Sequence, residues 1–171
     1  MSAVHLTALA IAVVACVTDL RSRRIPNVLT FGSAAAALVF HVATGGVGGL
    51  VSACEGWAVG VAFFFLPFAL GGMGGGDIKL VAALGAWMGP GAAFWLGLYT
   101  GIAGGVFAVV VSICRGYLGQ AMSNIWLLLT HWRVAGLRPL DEVSLAGSRG
   151  PRLAYAVPIF TGTVLTIWFR P

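Results

Sequence analysis

The sequence predicts an all-α, polytopic membrane protein with about six transmembrane helices, organised as a single domain over residues 1–171. Three observations carry that expectation. Of the 171 residues, 59% are hydrophobic and 9% charged, whereas an ordinary soluble domain is roughly a quarter charged. The apolar residues are gathered into long runs that fill most of the chain, and the mean hydropathy is +0.96. The basic residues fall between alternate runs, as membrane topology requires.

The runs, in order, are Ala3 to Thr18, Val28 to Ala43, Val47 to Leu70, Ile78 to Met88, Ala92 to Cys114 and Leu153 to Phe169. The first lacks a basic segment before it and is followed by arginines, so it is a retained helix rather than a signal peptide. The fourth is short for a bilayer core, which asks for about 20 helical residues. It is a half-span, or it borrows length from the glycines before it. Gly89-Pro90-Gly91 separates the fourth run from the fifth. The only long connection runs from Arg115 to Arg152. Within it, Leu118, Met122, Ile125, Trp126, Leu129 and Trp132 recur at helical spacing among polar residues, as in a helix lying in the membrane interface.

Arg21, Arg23, Arg24, Lys79, Arg115, Arg133, Arg138, Arg149 and Arg152 belong to one side of this plan, and Arg170 alone to the other. The positive-inside rule then places both termini outside and the odd-numbered loops in the cytoplasm. The same distribution accounts for the net charge of +5 without nucleic acid as a partner. Cys16, Cys54 and Cys114 lie inside apolar runs with no CxxC pair, and His5, His41 and His131 are dispersed. No metal site, disulfide framework or cofactor is expected. "GSRG" at Gly147 has no matched histidine and is not read as a serine nucleophile.

Five acids remain. Asp141 and Glu142 belong to the polar fifth loop; the other three, Asp19, Glu55 and Asp77, lie in or beside apolar runs, where an ionisable group is costly and marks a functional candidate. Glu55, about two turns into the third run, reads as a protonated, hydrogen-bonded structural group, with a proton or substrate role as the alternative. Asp19 ends the first helix and Asp77 opens the fourth, so both fall at the cytoplasmic rim. Two carboxylates that meet across a bundle share one proton, because like charges in contact cannot both ionise. That is the state needed for aspartyl proteolysis: one carboxylate takes a proton from water while its protonated partner polarises the scissile carbonyl. Two interfacial acids balanced by Arg21 and Lys79 are the ordinary alternative. Gly74, Gly75 and Gly76, directly before Asp77, would let a substrate strand approach exposed backbone N–H groups; close helix packing is the competing use.

Three motifs resemble one known family. "GGGDIKL", from Gly74, is similar to the GxGD signature of intramembrane aspartyl proteases. "DLRSRRIPNVLT", from Asp19, and "YAVPIFTG", from Tyr155, resemble the partner motif and the last-helix motif of prepilin peptidases, in the family's order. The resemblance implies an aspartyl endopeptidase that removes the leader from type IV pilin-like precursors at the cytoplasmic face of the inner membrane, with Asp19 and Asp77 as its dyad and no metal or cofactor. Larger members carry a cysteine tetrad linked to N-methylation. No CxxC exists here and the first loop is short, so the resemblance implies a small Flp/Tad-type peptidase that cleaves without methylating.

Residues around the dyad have structural readings too. Pro26 fixes the entry to the second helix and Asn27 caps it. Arg21 and Lys79 each follow an aspartate by two positions and cannot pair with it along one helix, so each steadies the opposite aspartate, binds lipid phosphate or anchors topology. Pro158 breaks a hydrogen bond and bends the last helix around the site. Tyr155 offers a hydroxyl at the rim or anchors the interface. Asp141 and Glu142 could receive a basic leader. Two other classes fit the composition: a proton-coupled carrier and a noncatalytic assembly scaffold. A carrier would show internal repeats and midplane charges, and a degenerate peptidase would have lost an aspartate.

Overall fold

The computed structural model describes residues 2–116, 118–135 and 154–169. Among them the secondary structure is helical throughout: α1 (Ala3–Ser22), α2 (Asn27–Ala69), α3 (Gly75–Cys114), α4 (Leu118–Ala135) and α5 (Ala156–Phe169). Three of these, α1, α2 and α3, are long and apolar enough to cross a membrane, and α5 is a shorter apolar helix. Arg138, Asp141, Glu142, the Gly147 motif, Arg149, Arg152 and Arg170 lie outside the described residues.

Helices α2 and α3 each fold back on themselves at one glycine. Gly46 has φ 58° and ψ −141°, and Gly89 has φ 79° and ψ 171°, conformations that L side chains avoid. The reversal shows in what lies beside what. A side chain on Gly49 would overlap the His41 carbonyl, and one on Gly85 would come within 3.2 Å of the Ala93 Cβ. Eight residues of straight helix would hold such pairs about 12 Å apart. The chain therefore has limbs 27–45 and 47–69 in α2, and 75–88 and 90–114 in α3. Their turns match the breaks between the second and third, and the fourth and fifth, apolar runs of the sequence.

The limb 75–88 is the centre of the molecule. Leu80, Val81, Ala82, Ala83, Leu84 and Ala86 are completely buried, because helices surround it. The limb 47–69 meets it at Gly56 and Gly60, where a Cβ on Gly60 would stand 2.8 Å from the Val81 carbonyl oxygen. Backbones approach this closely only where side chains are absent, which is how apolar helices associate when lipid offers no hydrophobic gain. At the Gly89 turn, Trp87 lacks a normal helical continuation for its carbonyl, and His41 Nε2 lies 3.0 Å from that oxygen. Trp87 Nε1 donates to the Ser33 carbonyl at 3.1 Å. His41 is thus a strut between limbs.

Helix α1 presents Ala8, Ile11, Ala12, Ala15 and Asp19 along one buried stripe. Helix α5 packs on α3 through Gly162, against Thr100, and its Thr163 and Thr166 hydroxyls donate to the Ile159 and Gly162 carbonyls at 2.8 Å each. Helix α4 follows the expected fifth-loop segment, and Leu118, Met122, Ile125 and Trp126 are exposed on it. The Leu129 and Trp132 side chains lie outside the described residues. Glu55, expected to be hydrogen-bonded between helices, is instead exposed on the limb 47–69, because its neighbour Gly56 occupies the packing face.

Candidate active site

Three helix ends meet at one end of the bundle: the last turn of α1, the first turn of α3 and the start of α5. Asp19 does not end its helix as expected. Helix α1 runs one turn further, to Ser22, and closes with Arg23 in the left-handed conformation (φ 53°), whose N–H donates to the Asp19 carbonyl at 2.8 Å. Because Asp19 continues the alanine stripe, its side chain is carried inward and is only 7% exposed. There its Oδ2 accepts the Ala156 backbone N–H at 3.3 Å. That N–H belongs to the first turn of α5 and has no partner inside its own helix. The carboxylate thus joins two helices distant in sequence and is held in one orientation.

Asp77 stands in the first turn of α3 and is half-buried. Gly74 is the extended N-cap; it donates its N–H to the Asp77 carboxylate, while Asp77 N–H returns a bond to the Gly74 carbonyl at 3.1 Å. This is the reciprocal arrangement of a capping box with the cap side chain deleted. Deletion matters, since a Cβ on Gly74 would stand 2.8 Å from Asp77 Oδ2. Helix α3 starts at Gly75, three residues before the apolar run, so Gly75 and Gly76 form helical turn rather than loop. A Cβ on Gly76 would come 3.3 Å from Ile25 Cβ, which lets the α1–α2 connection lie against this turn.

Asp19 and Asp77 are within electrostatic reach of each other, and Tyr155 is within reach of Asp77. The Tyr155 hydroxyl rests against Gly104, and its ring meets Phe64 edge-on with centroids 6.4 Å apart. Carboxylates and phenol therefore converge from α1, α3 and the lead-in to α5.

The surrounding residues take other parts than the sequence suggested. Asn27 does not cap α2. Pro26 is the N-cap, in extended conformation (ψ 134°), and Asn27 is the first helical residue. Its Oδ1 accepts instead from Lys79 Nζ at 3.2 Å, and that ammonium also lies 5.0 Å over the Phe31 ring. Lys79 turns toward α2, not toward Asp19. Arg21 is exposed in the last turn of α1, where a cation suits the helix C-terminus. Pro158 does not bend α5. It is the third residue of that helix, where its missing N–H had no helical acceptor, and it is fully buried.

Sequence reasoning did not find the Ala156 N–H or Gly104. The first had a signal in the proline of "YAVP", which fits an opening turn; the second had none. Among the described residues no cluster of three or more His, Cys, Asp or Glu could hold a metal ion.

A family model described as the type IV leader peptidase family matches residues 6–109, which include both aspartates. A prepilin leader peptidase/N-methyltransferase of Neisseria gonorrhoeae is 32% identical over 123 residues, covering 66% of this chain and 43% of the relative. The chain thus spans less than half the length of that relative. No solved structure matches.

Proposed function

The chain belongs to the type IV leader peptidase family, and from that premise we propose that it is an aspartyl endopeptidase removing the leader from a type IV pilin-like precursor. The observation that carries the proposal is the convergence of Asp19 and Asp77 from separate helices at one end of the bundle, each carboxylate anchored by a backbone N–H.

In the working state the pair holds one proton. The ionised carboxylate takes a proton from a water molecule as its oxygen attacks the scissile carbonyl carbon. The protonated carboxyl gives its proton to the carbonyl oxygen. The tetrahedral intermediate collapses by breaking the C–N bond, with a proton passing to the leaving nitrogen. The products are a leader ending in a new carboxyl group and a mature chain with a new amino terminus. The half-buried first turn of α3, bare of side chains at Gly74, Gly75 and Gly76, gives an extended substrate room and, at Gly75 and Gly76, N–H groups without a helical partner. Tyr155 would offer its hydroxyl to the reacting carbonyl. Pro26 and Asn27 set the α1–α2 connection against that turn, and Pro158 sets the start of α5.

We place the site at the cytoplasmic face of the inner membrane. Arg21, Arg23, Arg24 and Lys79 share its end of the bundle, and the six limbs of α1, α2, α3 and α5 would then each cross with both termini outside. Helix α4, amphipathic and not among the helices apolar enough to span, would lie in the interface. The short α1–α2 connection supports peptidase activity without methylation. Neither a cofactor nor nucleic acid enters this scheme.

Purified protein incubated with a panel of native pilin-like precursors is expected to cut at least one at a single bond, read by the masses of both products. Failure across the whole panel by folded protein turns the reading toward a carrier or scaffold.

A further inference from the structure

Lys79 opens onto a feature that the proposed chemistry does not use. Between the limbs 27–45, 47–69 and 75–88 runs a groove of about 300 Å³. Trp57, Val61, Phe65 and Phe68 form one wall at helical spacing, over about 16 Å of helix rise. Phe31 and Ala34 form the opposite wall, and Ile78 and Ala82 the floor. Lys79 is the single charged residue of its lining. Among the described residues its partners, the Asn27 amide oxygen and the Phe31 ring, are neutral.

The groove is not the substrate cleft. Successive helical residues are about 100° apart around the axis. Ile78, Lys79 and Ala82 therefore share one side of α3, and Asp77 points away from it. An occupant of the groove would sit behind the catalytic carboxylate.

We propose that this groove is a binding site for an anionic phospholipid, with an acyl chain along the wall from Phe68 toward Trp57 and the headgroup phosphate on Lys79. The lining decides between occupants. A peptide strand would bring backbone N–H and C=O groups into a channel that offers them almost no partners, and unsatisfied backbone groups are costly in an apolar medium. An acyl chain brings none. Phe31, Trp57, Phe65 and Phe68 are each exposed on the outer surface, as they would be facing bilayer. The charge at the mouth matches phosphate, and Lys79 lies at the basic end of the bundle, where the chain would meet headgroups.

The test is photolabelling of the full chain in nanodiscs of phosphatidylcholine carrying a trace of phosphatidylglycerol with a photoreactive acyl chain, with adducts mapped by mass spectrometry. Adducts are expected on the groove walls, and a photoreactive phosphatidylcholine should label them less. Lys79→Gln should cut phosphatidylglycerol labelling about fivefold, and Lys79→Arg should retain it. Ala34→Phe, which fills the groove but keeps the ammonium, should abolish phosphatidylglycerol labelling. Adducts on the unrelated exposed residue Val106 serve as the control for fold and insertion. Equal labelling by the two lipids, labelling indifferent to Lys79→Gln, displacement by millimolar inorganic phosphate, or protection of the walls by a second copy of the chain would each overturn the proposal.

Discussion

Asp77→Asn and Asp19→Asn are each expected to reduce leader cleavage by at least about 10²–10⁴-fold, the usual worth of a positioned acid or base. The amide can neither accept a proton from water nor give one to a carbonyl. It does keep an oxygen in place, and both anchoring contacts need only an oxygen: Asp19 accepts the Ala156 N–H and Asp77 accepts the Gly74 N–H. The variants should therefore fold and keep α5 docked on α1, as monitored by unchanged thermal unfolding in micelles. Two carboxyls acting as one unit, as proposed, would leave the double variant no slower than the worse single variant. A variant that folds and still cuts at the wild-type rate would remove its aspartate from the mechanism.

The largest expected effect on stability is that of Gly56→Ala. A methyl group on Gly56 would overlap the Gly85 carbonyl and stand 3.0 Å from the Gly89 carbonyl carbon. On the other side, a Cβ on Gly85 would overlap the Gly56 carbonyl. Here two backbones touch, and no side chain can rotate aside. The limbs 47–69 and 75–88 would have to part along the buried centre, at about 1–3 kcal/mol or more for overpacking of this kind. Gly32→Ala is the control, since a Cβ there meets nothing within 4 Å. In a helix interior that exchange should be neutral or stabilising by about 0.5–1 kcal/mol. Thermal unfolding of the two variants in the same detergent separates contact from helix propensity.

Much of this architecture can be read from the chain, and the reason is the sharpness of its punctuation. The breaks before Val47 and at Gly89-Pro90-Gly91 coincide with the two turns, because helical pairing does not continue through a glycine at positive φ. Asp19 and Asp77 stand out because acids are scarce in apolar runs. Local detail at helix ends is less legible. Asn27 has the chemistry of a cap, yet the extended conformation of Pro26 makes the proline the cap and frees the amide for Lys79, 52 positions away. Pro158 reads as a kink only if α5 begins at Leu153. A start at Ala156 turns the same proline into an opening residue. Glu55 shows the converse difficulty: an acid in an apolar run suggests burial, but the packing face belongs to Gly56 and Gly60, and the carboxylate points outward.

The link between Asp19 and Ala156 lies beyond sequence reasoning of this kind. It joins a side chain to a backbone N–H 137 positions away, and backbone groups carry no residue signature. Only the meeting of α1 and α5 reveals it. Gly104 is similar, since its lack of a side chain has meaning only beside the Tyr155 hydroxyl.

The pH dependence of single-turnover cleavage by the wild-type protein tests the shared proton most directly. At low pH both carboxyls are protonated and no base remains to activate water; at high pH both are ionised and no acid remains for the carbonyl oxygen. A dyad holding one proton therefore predicts a bell-shaped rate with two falling limbs, reported as two values that belong to the pair rather than to either aspartate. A folded enzyme whose rate rises with pH to a plateau, with no descending limb, would contradict it.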